Sequence, residues 1–231
     1  MYPNIQAYDR GGMFSPEGKL FQVEYAKEAV KKGATSIGII AKDSVVLIAH
    51  KNIIEPLLIP STVQKIFRID QFIGATYSGL VSDGLRIISS MRSKTQTHRM
   101  IYDETESVET IAKEVSEEMQ QATQYGGLRP YGVSLLVAGF DIAPKLYEVE
   151  PGAAFFGYKA DAIGAGKKVA EEILEKEYKD DMAINEAIDL GLKVINKVNT
   201  KKITESNIDI SVINKEEGYK QISQKEIQKY L

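Results

Sequence analysis

The chain has no cysteine and only two histidines among its 231 residues. Without cysteine there is no disulfide framework, no thiolate nucleophile and no thiolate metal site. His50 and His98 are far apart and lack the spacing of metal ligands. We therefore predict that the protein holds no metal and no cofactor.

Long apolar runs and an excess of one charge are also missing. The longest apolar stretches, such as residues 45–49, are far too short to span a bilayer, and no signal-peptide pattern is visible. A formal net charge of -3 gives no general attraction to nucleic acid or to anionic membranes. We expect a cytoplasmic protein with neither nucleic acid nor a membrane as partner.

The length allows one large domain with a full core, and no linker-like stretch divides the chain. We predict an N-terminal arm over residues 1–12 and a single domain over residues 13–231. Ser15 can cap a helix and Pro16 suits its first turn, while Gly33 can close the far end. These signals predict a helix from about Pro16 to Lys32.

Strands and helices follow in blocks. Four apolar runs are expected to pair in succession as an antiparallel sheet, at residues 35–40, 45–50, 66–69 and 72–77. Two helices come next, and the second carries an apolar stripe that begins at Val108. The remaining predicted elements are strands at 133–138, 145–149 and 153–156, helices at 166–178 and 184–198, strands at 208–213 and 219–221, and a short helix capped by Ser223 and Glu226. Such blocks favour an α+β fold with two packed antiparallel sheets and helices on both outer faces, a four-layer αββα sandwich.

The most informative motif is N-terminal and consists of Tyr8-Asp9-Arg10, Phe14-Ser15-Pro16-Glu17-Gly18 and residues 20–26. Four more blocks follow in order, namely Gln64-Lys65-Ile66, residues 78–83, residues 120–139 with the motif at 129–134, and Ala162-Ile163-Gly164. Together they resemble 20S proteasome α subunits, nearest to the single-type α subunits of archaea. The resemblance covers nearly the whole chain and implies the N-terminal-nucleophile hydrolase fold.

The resemblance also indicates that the catalytic chemistry is missing. Active members of this fold use an N-terminal threonine hydroxyl that is activated by its own amine and helped by a lysine. Here the nucleophile position falls on Ala34, which has no hydroxyl and follows 33 other residues. Lys65 aligns approximately with the catalytic lysine, and His50 lies near the position of an acidic residue, but neither restores catalysis. The chain alone is therefore not expected to be an enzyme.

The role implied by the resemblance is assembly and access control in a threonine-type endopeptidase complex. Its partners would be other α subunits in a seven-membered ring, catalytic β subunits, an activator ATPase with C-terminal docking tails, and unfolded protein substrates. A ring places all N-terminal arms near one axis, where they can gate a pore. The implied gate residues are Tyr8, Asp9, Arg10, Pro16 and Tyr25, although Tyr25 also suits simple helix packing.

Lys65 is the central candidate for activator binding. In the family this lysine lies in a pocket between adjacent α subunits and receives the carboxylate of an activator tail. An ammonium with backbone donors suits a carboxylate, whereas a lone lysine is ordinarily a surface residue. Gly33, Gly79 and Leu80 match the pocket walls, and Glu24 borders the pocket.

Two other functions remain open. The chain is a self-processed threonine protease if cleavage behind Ala34 exposes Thr35, or a ring-forming scaffold if no protease partner exists. Asp180 and Asp181 are interpreted as a polar loop, because no activated partner is identifiable. Residues 164–167 lack the spacing of a phosphate loop and are interpreted as a tight strand-to-helix turn.

Overall fold

The computed structural model describes residues 12–53, 55–199 and 203–231. The strands in this part of the chain are β1 Ser36–Ala41, β2 Ser44–His50, β3 Ile66–Arg68, β4 Ile73–Gly79, β5 Val133–Phe140, β6 Pro144–Val149, β7 Phe155–Gly157, β8 Ala160–Ile163, β9 Ile208–Asn214 and β10 Gly218–Gln221. The α-helices are α1 Phe21–Lys31, α2 Val81–Tyr102, α3 Val108–Gln124, α4 Lys167–Glu177, α5 Ile184–Val198 and α6 Gln224–Ile227. A 3-10 turn spans Pro60–Thr62.

The strands form two five-stranded antiparallel sheets. Their strand orders are β10-β9-β2-β1-β8 and β3-β4-β5-β6-β7. The first four strands pair as the hairpins β1–β2 and β3–β4, but the hairpins belong to different sheets. The expectation of one sheet built from these four strands in succession is therefore wrong. Every residue of β2 is buried, so the β1–β2 hairpin needs a layer on either side, and the chain passes to the other sheet between β2 and β3.

The two sheets pack face to face, with helices on both outer sides. One core lies between α4, α5 and the first sheet, and a second lies between α2, α3 and the second sheet. A third apolar cluster fills the space between the sheets and includes Leu47, Leu136 and Leu146. The predicted four-layer αββα sandwich is confirmed.

Helix α1 is shorter than the sequence suggests. It begins at Phe21 rather than Pro16, with Leu20 in the capping position. Ser15 does not cap it, because the Ser15 hydroxyl accepts a hydrogen bond from the Lys19 amide at 3.1 Å in a preceding turn. Gly18 has a φ of 76°, which is not helical. At the other end, the Gly33 amide donates to the Val30 carbonyl, as expected for a residue that closes the helix.

Several local signals are confirmed. The apolar stripe of α3 is buried from Val108 to Ala122, and α5 has its predicted bounds. The Ser223 hydroxyl accepts from the Glu226 amide, and the Glu226 carboxylate accepts from the Ser223 amide, which caps α6. Strand β8 was not predicted, because it is short and contains the polar Asp161. In the part of the chain that the structure describes, no helix is long and apolar enough to cross a membrane.

Candidate docking site beside the first helix

A cavity of about 500 Å³ lies beside the C-terminal half of α1. It brings together three residues predicted for activator binding, Gly33, Gly79 and Leu80, and the predicted gate residue Tyr25. Its complete lining is Tyr25, Glu28, Ala29, Lys32, Gly33, Gly79 and Leu80, and we call it the docking cavity. These residues come from α1 and from the junction between β4 and α2, which the fold places side by side.

Two glycines make one wall of the docking cavity from bare backbone. A Cβ atom at Gly33 would lie 2.2 Å from the Ser78 hydroxyl and 2.3 Å from the Gly79 nitrogen. Gly79 has a φ of 118°, and a Cβ atom there would lie 2.0 Å from the Gly132 carbonyl oxygen. Any side chain at either position would collide with main chain, so only glycine allows the segments to approach this closely.

The fully buried Ser78 hydroxyl holds the segment that carries Gly33. It donates to the Ala34 carbonyl at 3.1 Å and lies 3.3 Å from the Val30 carbonyl. From the opposite side, the Ala165 amide donates to the Gly33 carbonyl at 2.9 Å. Residues 33 and 34 are therefore fixed between β4 and the approach to α4. No pattern in the sequence pointed to Ser78 as the partner of this segment.

Lys65 is buried and does not line the docking cavity. Its residue is 8% exposed, its ammonium donates to the Tyr77 carbonyl at 2.9 Å, and the ammonium lies 4.5 Å from the Tyr77 ring centroid. Tyr77 is two residues before Gly79 in β4. The alternative that Lys65 is an ordinary surface lysine is wrong. Burial lowers the pKa of Lys65 to about 8, and the nearby Asp209 carboxylate acts in the opposite direction.

The ammonium of Lys65 has no carboxylate within ion-pair distance among the described residues. The acid that acts on its pKa, Asp209, is already engaged, because one oxygen accepts from the buried Lys51 ammonium at 2.8 Å and the other accepts from the Lys65 amide at 3.0 Å. The Asp209 carboxylate therefore pairs with the Lys51 ammonium and with a backbone amide, and not with the Lys65 ammonium. A buried cation without a counter-charge is costly, so this position favours an added anion.

The residue that self-processing behind Ala34 would expose is buried. Thr35 is 1% exposed, and its carbonyl accepts from the His50 amide at 3.0 Å. The Ala34 carbonyl is occupied by the Ser78 hydroxyl, so the peptide bond that self-processing would have to cleave lies within paired structure. Cleavage there would first require several hydrogen bonds to break.

The remaining predicted residues lie elsewhere. Pro16 is exposed in the turn before α1, and Glu24 forms an exposed 3.8 Å ion pair with Lys27 instead of lining the docking cavity. Tyr25 is half exposed and also stacks on Phe21, with ring centroids 6.4 Å apart, so its position suits both packing and cavity roles. The predicted gate residues Tyr8, Asp9 and Arg10 lie outside the described residues.

Neither histidine belongs to a cluster of metal ligands. His50 is buried in β2, and His98 packs against Tyr102 with ring centroids 4.7 Å apart. Within the described ranges, no group of three or more His, Cys, Asp or Glu side chains is arranged to hold a metal ion.

A larger cavity, of about 590 Å³, lies on the other side of α1, against the start of α4.

Beside this cavity a buried ionic cluster joins both sheets. Lys167 Nζ is 2.6 Å from Glu148 Oε2 and 3.8 Å from Asp161 Oδ1, and the two acids are 3% and 2% exposed. Burial, together with repulsion from Glu148, raises the pKa of Asp161 to about 8. In this cluster the Lys167 ammonium is paired with carboxylates, whereas the Lys65 ammonium is not.

Comparison with known proteins agrees with this geometry. Residues 30–213 match the family of proteasome subunits, and residues 8–29 match the N-terminal signature of A-type proteasome subunits. The chain therefore belongs to the proteasome subunit family, whose fold is the N-terminal-nucleophile hydrolase sandwich.

Relatives in archaea are similar over nearly the full length. The proteasome alpha subunit of Archaeoglobus fulgidus is 45% identical over 226 residues, which covers 97% of this chain and 92% of the relative. The proteasome alpha subunits of Pyrococcus abyssi and Methanocaldococcus jannaschii are 43% and 44% identical, over 99% and 97% of this chain and 88% and 87% of theirs.

Proposed function

We propose that this chain is a non-catalytic α-type subunit of a proteasome core, which forms the gated entrance and docks an activator ATPase. Family membership implies assembly with other proteasome subunits in rings, and the match at residues 8–29 supports the α type. The arm over residues 1–12 would gate the pore, with unfolded protein substrates passing through it in the cytoplasm. Ala34 and the buried Thr35 support the absence of catalysis.

The observation that carries the docking role is the buried, uncompensated Lys65 ammonium. Because Asp209 is paired with Lys51, the surroundings of Lys65 remain short of one negative charge. The C-terminal carboxylate of an activator tail would supply it. Direct contact requires the carboxylate to reach past the cavity lining to the ammonium, where a charge-assisted hydrogen bond would contribute roughly 1.5 to 3 kcal/mol, more than a neutral hydrogen bond.

The docking cavity also has surfaces for the residues that precede such a carboxylate. Tyr25 and Leu80 are large side chains that remain 50% and 43% exposed. Gly33 and Gly79 leave the backbone accessible between them. An extended tail with apolar residues near its end therefore fits the lining.

Activator binding to assembled rings tests this role. Surface plasmon resonance should show loss of binding for Lys65→Ala, while the ring mass and the unstimulated peptidase activity of the complex with β subunits stay at wild-type values. Lys32→Ala is a matched control, because Lys32 lines the same cavity but is exposed to solvent. Solvent screens that charge, so only a small loss is expected. Equal affinities of wild type and Lys65→Ala would refute docking through Lys65.

The two alternatives give different results. A self-processing protease would lose residues 1–34, which mass spectrometry of the purified chain detects, and its peptide hydrolysis would disappear in Thr35→Ala. A scaffold without a protease partner would not bind a proteasome β subunit on co-purification. We expect an intact chain, no hydrolysis by the chain alone, and co-purification with a β subunit.

A further inference from the structure

A bidentate ion pair lies directly behind one wall of the docking cavity. Asp83 is in the first turn of α2, and its side chain is 9% exposed. Its two oxygens accept from Arg129 Nη1 at 2.7 Å and from Arg129 Nη2 at 2.8 Å. The hydrogen bonds from Arg129 lower the pKa of Asp83, so the carboxylate remains charged at neutral pH.

The same carboxylate fixes a loop residue that touches the wall. The Gly132 amide donates to Asp83 Oδ2 at 2.9 Å, and the Gly132 carbonyl accepts from the Leu80 amide at 2.9 Å. Leu80 is in the capping position of α2 and has no side-chain cap. Because a Cβ atom at Gly132 would lie 2.8 Å from Leu80 Cδ1, the Leu80 side chain packs directly on this residue.

We propose that Asp83 and Arg129 are positioning residues for activator docking, which hold Leu80 in place against Gly33 and Gly79. The proposal rests on the docking function proposed above. Neither Asp83 nor Arg129 lines the docking cavity, so both act through Gly132 and Leu80 instead of touching the tail. We call the pair, together with Gly132, the clamp.

The clamp matters because a preformed cavity binds with less loss of conformational freedom. With the ion pair intact, the amide and the carbonyl of Gly132 are both hydrogen-bonded to residues at the start of α2. Without it, residues 129–132 lose their charged anchor and Leu80 loses the support beneath its side chain. An incoming tail then has to order this wall, and its affinity falls.

The test uses assembled rings and a fluorescent heptapeptide with two apolar residues before a free C-terminal carboxylate. Its C-terminal amide serves as the probe without charge. We expect Arg129→Ala to weaken binding of the free acid by roughly fivefold or more, the range found for coupled neighbouring groups. Arg129→Lys should give an intermediate affinity, because an ammonium cannot reproduce the two parallel hydrogen bonds.

A matched control is available at the other end of the same helix. There, Arg99 Nη2 contacts both oxygens of Asp70, at 2.7 and 2.8 Å, with a similarly buried carboxylate. Arg99→Ala should therefore lower thermal stability comparably while peptide affinity stays at the wild-type value. Hydrogen exchange of residues 80–84 and 129–133 should accelerate in Arg129→Ala and stay unchanged in Arg99→Ala.

Each outcome separates the clamp from the docking function. Wild-type affinity in Arg129→Ala, alongside loss of binding in Lys65→Ala, would overturn the clamp and leave docking through Lys65 intact. If wild type binds the acid and the amide equally, or binds neither, docking fails and the clamp fails with it. If Arg129→Ala rings do not assemble, peptide affinity is measured with Arg129→Lys and Asp83→Asn instead. Wild-type affinity in both variants would overturn the proposal.

Discussion

At the scale of single residues, Lys65 and Asp161 are both buried ionisable groups, but burial acts on them in opposite directions. Burial lowers the pKa of Lys65 to about 8 and raises that of Asp161 to about 8. Burial favours the neutral form of each group, so Lys65 loses its charge above about pH 8 and Asp161 stays uncharged below about pH 8. The consequences differ, because Lys65 is proposed to receive an external anion, whereas Asp161 faces Glu148 and Lys167 within the fold.

Docking should weaken as pH rises through the Lys65 pKa. Only the ammonium form attracts a carboxylate, and above about pH 8 that form declines by roughly tenfold per pH unit. We expect the affinity for a free-carboxylate tail to fall by about tenfold between pH 7 and pH 9. Fluorescence anisotropy with the heptapeptide measures this. The Asp161→Asn variant should show the same decline, since Asp161 lies near the other cavity, and a flat wild-type profile would argue against an ammonium receptor.

Asp161→Asn should stabilise the fold increasingly with pH. A carboxyl whose folded-state pKa is raised binds a proton more tightly when folded, so wild-type stability falls as pH rises from about 4 to about 8. Asparagine lacks this cost. Relative to wild type, its free energy of unfolding should rise by at most about 1.4 kcal/mol per pH unit in that window.

Thermal unfolding at a series of pH values between 4 and 9 tests this expectation. Glu171→Gln is the control, because Glu171 is only partly buried and lies 3.8 Å from the same Lys167 ammonium. The free energy of unfolding of this variant should change with pH in parallel with that of wild type. A parallel curve for Asp161→Asn as well would mean that the buried acid titrates normally.

At the scale of secondary-structure elements, the N-terminal arm is the segment that we expect to control access. Deletion of residues 1–12 should increase peptide hydrolysis by the complex with β subunits, because it removes the proposed plug and leaves both sheets intact. Fluorogenic peptide turnover measures the change. Titration with an active-site inhibitor should give equal numbers of sites in both complexes. If the deletion leaves turnover unchanged although the wild-type complex is demonstrably closed, the gate assignment is wrong.

Elements with a strong local pattern were predictable, and contacts between distant elements were not. The apolar stripe of α3 determines its bounds, because one face of a helix repeats within a few residues. The start of α1 was misplaced because Gly18 leaves the helical region and Ser15 bonds to Lys19 instead. The division of β1–β4 between two sheets depends on the pairing of β1 with β8 and of β2 with β9, partners that lie more than a hundred residues further along the chain.

The candidate site shows the same limit. The resemblance selected Gly33, Gly79 and Leu80, and the structure brings them together. Tyr77 as acceptor for Lys65, and Arg129 as partner of Asp83, depend on tertiary packing that no local spacing reveals. Glu24, which the resemblance placed only at the border of the pocket, lies outside the cavity lining.

At the scale of the whole molecule, exposed apolar side chains near the N-terminal end of α1 indicate contact with a second copy. Met13 and Phe14 precede the helix, and Tyr125 and Leu128 line a neighbouring cavity, all at least 58% exposed. We expect the purified chain to form seven-membered rings, single or stacked, since such a surface is seldom left in water. Light scattering should give the ring mass at micromolar concentration.

A single charged substitution tests which surface joins the subunits. Leu128→Asp should lower the mass toward that of one chain, because the carboxylate would be buried in the contact. Ile142→Asp is the control, since Ile142 is 95% exposed at the turn between β5 and β6. A monomer for the wild-type chain, or rings unaffected by Leu128→Asp, would contradict this assignment.

The unequal span of the two sheets along the chain affects how the molecule is made. All strands of the second sheet lie in one continuous stretch, residues 66–157. In the first sheet, β1 and β2 pair with β8 and β9, which come much later in the chain. During synthesis the second sheet can close while the β1–β2 hairpin still exposes its two outer edges to solvent. Nascent chains should therefore be most prone to misassociation after β7 emerges and before β9 does, a window in which chaperones have most to protect.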